Sequence, residues 1–202
     1  MIRAVVFDIG GILEPPWAEA LLGELPQFVR MERGRFGAHL AEHHVALTEG
    51  RMSLAELYRR ILPDTGAPAS ERALARHLDI YLRATARHDA RVLDLVAVLK
   101  RRYVVACLTN TELEVGELNR RRGLYRPFQR AYLSTEIGLH KPGRAIFEWV
   151  LRDLGCAGPE AVFVDDGDAN VRGAREAGLH AIHYRDFDQF TGELAGCLAD
   201  PC

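Results

Sequence analysis

The feature that most constrains the fold is an apolar run at residues 4–7 that ends in one acid, Asp8. An ionised carboxylate after Ala-Val-Val-Phe is too costly to leave in a core without a partner. We therefore expect Asp8 at the carboxyl end of a buried strand, where open parallel sheets bind ligands. Gly10 and Gly11 allow a tight turn whose amides approach an anion. A plain strand, a Gly-Gly turn and Asp8 as a cap would give the same pattern.

Strands and helices alternate after residue 90. The predicted strands are residues 103–108, 131–133, 161–164 and 180–184, and the predicted helices are 91–100, 113–122, 144–154 and 170–177. This alternation predicts a parallel sheet covered on both faces, and strands without polar alternation fit burial on both sides. The predicted fold class is α/β, a doubly wound, Rossmann-like parallel sheet.

A helical block separates the first strand from this series. Apolar residues recur at helical spacing in residues 19–29, 35–47, 53–62 and 70–81. Ser53 and Glu56 have the spacing of a capping box at the start of the third segment. We predict an inserted helical-bundle cap domain at residues 15–89 and a core domain at residues 1–14 and 90–202.

Composition narrows the class of protein. Of the 202 residues, 48% are hydrophobic and 27% are charged, as in ordinary globular proteins, and the net charge of -2 indicates neither a nucleic-acid nor a membrane partner. The N-terminal apolar run is too short to span a bilayer or to form a signal peptide. The four cysteines lack metal-type spacing, so we expect reduced thiols and a cytoplasmic location. They are Cys107, expected in the core, and Cys156, Cys197 and Cys202.

Polar residues follow three predicted strands, at Asp8, at Thr109-Asn110 and at Asp165-Asp166. In a doubly wound sheet these strand ends meet in one crevice. Lys141 lies in a loop between the second and third of them. Carboxylates suit Mg²⁺, which binds few protein ligands together with phosphate, and lysine offsets phosphoryl charge as a compact cation. The combination predicts a divalent-cation and phosphate site.

Each of these residues also has an ordinary structural interpretation. Thr109 could be a helix N-cap, and Asp165 and Asp166 could be turn and cap residues before a helix. Lys141 could be a solvated surface lysine. The functional interpretation depends on all of them occurring together and in order.

Four segments in this order resemble the haloacid dehalogenase (HAD) superfamily, over essentially the whole chain. They are Phe-Asp-Ile-Gly-Gly-Ile-Leu at 7–13, Leu-Thr-Asn-Thr at 108–111, Gly-Leu-His-Lys-Pro at 138–142 and Val-Asp-Asp-Gly-Asp-Ala-Asn-Val at 164–171. The helical insertion is similar to the cap of a subgroup rich in small-metabolite phosphatases. That subgroup includes α-D-glucose-1-phosphate phosphatases and the phosphatase domain of soluble epoxide hydrolase.

The resemblance implies a Mg²⁺-dependent phosphatase of a small phosphorylated metabolite, and we expect a monomer or homodimer. Asp8 would be the nucleophile, forming an aspartyl-phosphate, and would also ligate Mg²⁺. Asp166 and the Gly10 carbonyl oxygen would complete the protein ligands of the metal. Asp165 and Asn170 would support that site, and Asn170 replaces an Asp that many members have there.

The phosphoryl oxygens would be held by a second group of residues. The resemblance assigns this role to Thr109, Asn110 and the Gly11 amide. Lys141 would neutralise phosphoryl charge and orient Asp8. Phosphoryl transfer depends mainly on such positioning and charge stabilisation.

Gly10 departs from the family pattern. Most phosphatases of the superfamily carry a second Asp there, which protonates the leaving alcohol and then activates water. We expect slow turnover on ordinary alkyl phosphates and faster turnover on good leaving groups, such as anomeric sugar phosphates or acyl phosphates. The glucose-1-phosphate enzymes resemble this chain in the same departure. Water, Glu14 or a cap histidine (His39, His43 or His44) could replace the missing acid.

Two other functions stay open. The first is a phosphate-binding or regulatory relative with negligible turnover, because Gly10 cannot carry a proton. The second is a carbon–halogen hydrolase of the 2-haloacid dehalogenase type, which would also use Asp8. Those enzymes need no metal, so Asp165 and Asp166 argue against the second.

Overall fold

A computed structural model describes residues 1–62 and 67–199. Within these ranges Cys107, Cys156 and Cys197 are free thiols, and Cys107 is buried as expected. Cys202 lies outside the described residues. Among the described helices, none is long and apolar enough to cross a membrane.

Five parallel strands form one sheet, in the order β3-β2-β1-β4-β5. The strands are β1 (Ala4–Phe7), β2 (Val104–Thr109), β3 (Arg130–Leu133), β4 (Ala161–Asp165) and β5 (His180–His183). Phe7 is level with Cys107 on one side and with Val164 on the other. Asp8 and Asp165 therefore emerge side by side at the carboxyl edge, and the predicted α/β class is confirmed.

Helices cover both faces of the sheet and form the insertion after β1. They are α1 (Ala18–Phe28), α2 (Arg33–Thr48), α3 (Leu54–Ile61), α4 (Ala67–Ala84), α5 (Ala90–Leu99), α6 (Leu113–Arg122), α7 (Ser134–Ile137), α8 (Arg144–Leu154), α9 (Asp168–Glu176) and α10 (Phe187–Ala199). Helix α4 begins three residues before the predicted start, and the C-terminal helix α10 was not predicted. Its two glycines weaken the helical pattern, but Phe190 and Leu194 bury it against the sheet.

The side chains of β1 alternate between two apolar cores. Val5 and Phe7 contact the core that also contains Phe190, whereas Val6 contacts the opposite core, with Phe147 and Phe163. Both faces of the sheet are therefore buried, which is why its strands read as uninterrupted apolar runs.

The insertion has an apolar cluster of its own, built from α1 to α4. The capping box at the start of α3 is confirmed: the Glu56 amide donates to Ser53 Oγ, and the Ser53 amide donates to the Glu56 carboxylate. Val115 of α6 belongs to the same cluster. The insertion thus packs on α6 of the core, while its boundaries at residues 15 and 89 stay predictions.

Candidate active site

The side chain of Lys141 joins two of the predicted acids. Its Nζ lies 2.9 Å from Asp8 Oδ1 and 2.6 Å from Asp165 Oδ2. The ammonium side chain is 1% exposed, so it is not a solvated surface lysine. A buried ammonium is stable only with compensating charge, and the two carboxylates supply it.

The loop that carries Lys141 is held by the end of β2. Asn110 Nδ2 donates to the Lys141 carbonyl oxygen at 2.8 Å, and the Lys141 amide donates to Asn110 Oδ1 at 2.9 Å. The Asn110 side chain therefore positions this loop and is not free to bind phosphate. Thr109 also lies at the site, where its hydroxyl makes one long contact, 3.4 Å, to the Asn110 carbonyl oxygen.

Asp165 is held by the segment that follows it. Its Oδ1 accepts from the Gly167 amide at 2.8 Å and from Asn170 Nδ2 at 2.9 Å. With Oδ2 bound to Lys141, both carboxylate oxygens of Asp165 have protein partners. Asn170 thus supports Asp165 directly by donating from its side-chain amide. An ionised Asp at position 170 could not make this hydrogen bond, because it has no proton to donate.

Gly11 has no side chain beside Asp166, and its amide is hydrogen-bonded within the loop. A Cβ at this position would lie 1.9 Å from Asp166 Oδ2, and its φ is +71°. The Gly11 amide donates to the Glu14 carbonyl oxygen at 2.8 Å. The amide that the resemblance assigned to a phosphoryl oxygen thus has a backbone partner in this structure. Glycine is favoured here because its φ is positive and because the Asp166 carboxylate lies where a side chain would begin.

Three carboxylates meet at this edge of the sheet. One oxygen from each of Asp8, Asp165 and Asp166 lies within 4.8 Å of the others. Hard oxygen donors in such a group suit Mg²⁺. Because the oxygens of Asp165 have other partners, Asp8 and the exposed Asp166 are the carboxylates that fit as ligands. The residues present therefore fit the predicted metal.

Burial controls the ionisation of the site. It raises the pKa of Asp8 above its ordinary value, although Lys141 opposes this. Burial also raises the pKa of Asp166, with Asp165 adding to the effect. Burial alone would lower the pKa of Lys141, but Asp8 and Asp165 outweigh it and raise that pKa. A further cation beside Asp8 and Asp166 would favour their ionised forms.

A cavity of about 340 Å³ lies between this site and the helical insertion. Asp8, Gly10, Thr109 and Lys141 line it from the core. Residues of α1, α2 and α4 line it from the insertion. The insertion therefore covers the acidic site like a cap, as predicted.

Of the predicted substitutes for the missing acid at Gly10, Glu14 is already engaged. It accepts from Tyr81 OH at 2.7 Å, lies 3.2 Å from His88 Nε2 and pairs with Arg122. His44 lines the cavity, whereas His39 and His43 are not among its lining residues. These contacts leave Glu14 with structural partners and separate two of the three histidines from the site.

Two further residues line the cavity that sequence reasoning did not single out. Glu112, directly after the Thr109 segment, is half-buried, and burial raises its pKa to about 7. His77 of α4 is fully buried beside the cavity. In the sequence, His77 lies within an amphipathic helix of the insertion, and nothing in that pattern indicates a functional site.

A parallel sheet of this order, with a helical insertion after β1 and acids at its carboxyl edge, defines a Rossmann-like α/β domain with a helical cap over an acidic site. The sequence matches the protein-family model of the haloacid dehalogenase-like hydrolases over residues 2–178. We conclude that the chain belongs to this family of hydrolases, so the resemblance of its four segments is confirmed.

Individual relatives match nearly the whole chain. The chain is 26% identical over 210 residues to D-ribitol-5-phosphate phosphatase of Bacteroides thetaiotaomicron, covering 98% of this chain and 99% of that protein. It is 24% identical over 209 residues to drimenol cyclase drtB of Aspergillus calidoustus, covering 100% of this chain but only 37% of that protein. A crystal structure of a HAD family enzyme from Bacteroides thetaiotaomicron, with magnesium and inorganic phosphate, has a TM-score of 0.75 at 21% identity. That alignment covers 94% of this chain and 99% of the other, so the two share a fold.

Proposed function

We propose that the protein is a Mg²⁺-dependent phosphatase that hydrolyses a small phosphorylated metabolite through an aspartyl-phosphate on Asp8. The observation that carries the proposal is the buried Lys141 ammonium, 2.9 Å from Asp8 and 2.6 Å from Asp165. This lysine holds a carboxylate oxygen of Asp8 at the floor of the cavity. The phosphatase name of a relative that spans the whole chain supports the same activity.

In the first step an Asp8 oxygen forms a bond to phosphorus, and the ester P–O bond breaks. The leaving alkoxide takes a proton from water or from a cavity acid. Water then attacks the aspartyl-phosphate, releasing inorganic phosphate and restoring the Asp8 carboxylate. Thr109 Oγ1, the Asn110 backbone amide and Lys141 would hold the phosphoryl oxygens during both steps.

Bound Mg²⁺ would supply positive charge to the phosphoryl group. Asp8, Asp166 and the Gly10 carbonyl oxygen would hold it. Asp165 and Asn170 would keep Lys141 and the loop after β4 in place around it.

Gly10 limits the leaving groups that this site handles well. General acid–base catalysis is worth roughly 10²–10⁴ in rate, and Gly10 supplies none. The proposed phosphatase therefore acts best on phosphates with good leaving groups, such as acyl or anomeric phosphates.

The test is hydrolysis of acetyl phosphate and of a panel of phosphate monoesters, with Mg²⁺ and with EDTA. We expect Mg²⁺-dependent release of phosphate, abolished in Asp8→Asn and retained in Asp168→Asn, an exposed acid of the same region. Acid-quenched enzyme should carry phosphate on Asp8. Hydrolysis that persists in Asp8→Asn would refute the proposed nucleophile. Halide release from a 2-haloacid without Mg²⁺ would indicate the dehalogenase alternative.

A further inference from the structure

The part of the cavity above the phosphoryl site is mainly apolar. Its apolar lining residues are Ile9 and Val115 from the core and Trp17, Ala18, Leu21, Leu22, Leu40 and Leu47 from the cap. At about 340 Å³ the cavity is near the lower end of the roughly 300–1,000 Å³ range of ligand pockets. The space suits a compact leaving group with little polar surface.

Several of the buried polar groups in this lining are already hydrogen-bonded. Tyr81 OH donates to Glu14 Oε2 at 2.7 Å and accepts from Asn119 Nδ2 at 2.8 Å. Thr48 Oγ1 donates to the His44 carbonyl oxygen at 2.9 Å. These groups satisfy each other and offer little to a ligand.

His77 differs from them. Its ring is 1% exposed, and its Nδ1 lies 2.6 Å from Tyr58 OH. Its Nε2 is buried and has no hydrogen-bond partner among the described residues. The Trp17 ring packs on one side, with the ring centroids 5.4 Å apart. An unpaired buried polar atom costs about 1–3 kcal/mol, so a partner supplied by a ligand would remove that cost.

We infer that the cap cavity binds the organic part of a compact, mainly apolar monophosphate that carries one hydroxyl group, and that His77 Nε2 binds this hydroxyl. The inference rests on the proposed phosphatase function and names its class of substrate. A hydroxyl serves either tautomer of His77, because it accepts from Nε2–H and donates to a bare Nε2. Burial lowers the pKa of His77 to about 4, which keeps the ring neutral and suits an uncharged partner.

The same lining disfavours a polyol phosphate. Each additional hydroxyl would lose its water on entering the apolar part of the cavity, at about 1–3 kcal/mol when left unpaired. A pentitol chain would bring several such hydroxyls against the leucines of α1 and α2.

The experiment compares three monoesters of primary alcohols, so that the leaving groups are similar. They are n-pentyl phosphate, 5-hydroxypentyl phosphate and D-ribitol 5-phosphate, with acetyl phosphate as the test of the phosphatase itself. We expect kcat/KM for 5-hydroxypentyl phosphate to exceed that of n-pentyl phosphate about tenfold, and D-ribitol 5-phosphate to be the poorest by a further tenfold. Hydroxyalkyl phosphates with chains of four and six carbons show at which chain length the terminal hydroxyl raises kcat/KM most.

His77→Phe should remove the preference for the hydroxylated chain, and His77→Gln, which keeps a hydrogen-bonding group, should restore part of it. His39→Phe is the matched control, because His39 does not line the cavity, and it should keep the wild-type ratio. Circular dichroism is the check that each variant is folded.

The outcomes separate the two proposals. If acetyl phosphate is hydrolysed but D-ribitol 5-phosphate is the best of the three esters, the substrate class is wrong and the phosphatase stands. An unchanged hydroxyl preference in folded His77→Phe would likewise overturn the role of His77. Absence of hydrolysis with every substrate would overturn both the phosphatase and this inference.

Discussion

Gly10 and Gly11 are adjacent, but their surroundings give them different roles. A Cβ at Gly11 would overlap the Asp166 carboxylate, whereas a Cβ at Gly10 would have no heavy atom within 4 Å. Gly10 also lines the cavity and has no positive φ. Glycine is therefore favoured at position 11 by its positive φ and by the nearby Asp166 carboxylate, while Gly10 leaves room for the acid that most family phosphatases are expected to carry.

Gly10→Asp should increase kcat on n-pentyl phosphate by about 10–10²-fold, because the added carboxyl can protonate the leaving alkoxide. Hydrolysis of acetyl phosphate should change little, since its leaving group needs no proton. Steady-state kinetics on both substrates measure the difference. Gly10→Asn has the same size without a titratable proton and should not increase the rate. An equal gain in both variants would show that the effect is not acid catalysis.

Glu112 should make stability depend on pH. Burial raises the pKa of this carboxyl from 4.5 to about 7, so the folded state binds a proton more tightly than the unfolded state. The contribution of Glu112 to the free energy of unfolding is therefore largest below pH 4.5, and it is lost as the pH rises through 7.

Glu112→Gln removes this titration and should be more stable than the wild type above pH 7, by on the order of 2 kcal/mol, with no gain below pH 4.5. Urea unfolding across this pH range measures it. Glu117→Gln, an exposed acid on α6, the helix that follows Glu112, is the control and should show no such trend. A constant difference between wild type and Glu112→Gln at all pH values would contradict the raised pKa.

At the scale of elements, α9 and the Lys141 loop pack backbone to backbone. A Cβ at Gly173 of α9 would lie 2.2 Å from the Pro142 carbonyl oxygen. The loop is held from the other side by Asn110 at the end of β2. The position of Lys141 therefore depends on contacts from two elements that are far apart in the sequence.

Gly173→Ala should push this loop away from α9 and move Lys141 relative to Asp8. We expect a loss in kcat/KM on the order of 10², since small misplacements of catalytic groups have effects of this size. Stability should fall as well, although alanine is intrinsically favoured over glycine in helices by about 0.5–1 kcal/mol. Gly192→Ala on α10, where a Cβ meets nothing within 4 Å, should instead be neutral or stabilising.

At the scale of the whole molecule, the cap is joined to the core by buried polar contacts. Glu14, the last core residue before the insertion, contacts Tyr81 of α4 and Arg122 of α6. Glu114 of α6 accepts from the amides of Leu54 and Ala55 at the start of α3, each at 3.0 Å. These contacts hold the cap over Asp8 and set the shape of the cavity.

Mg²⁺ binding should stabilise the folded protein through the acidic cluster. At 100 times its dissociation constant, a ligand of the folded state adds about 2.7 kcal/mol to the free energy of unfolding. Thermal unfolding with MgCl₂, against NaCl of equal ionic strength, measures this gain. Asp166→Asn should lose most of it, whereas Asp168→Asn, an exposed neighbour paired with Arg172, should retain it. An equal gain in both variants would place the metal elsewhere.

The C-terminal helix shows a limit of prediction at the scale of elements. Its sequence contains Gly192 and Gly196, which weaken helix propensity. Phe190 is fully buried and packs edge-on against Phe7, with ring centroids 5.8 Å apart. Tertiary packing outweighs the local preference, and the sequence shows only the local preference.

The sequence by itself determined the class of fold, the family and the identity of the acids at the strand ends. The fold class and the acids follow from periodicity and from residues that share one edge of any parallel sheet, and the family follows from the resemblance of four segments of the sequence. Only the tertiary structure decided that the amide of Gly11 is engaged, that Glu14 is engaged with Arg122, and that His77 lies at the cavity. The physical reason is that a hydrogen bond or a buried atom depends on which distant segments meet, and local pattern does not encode that.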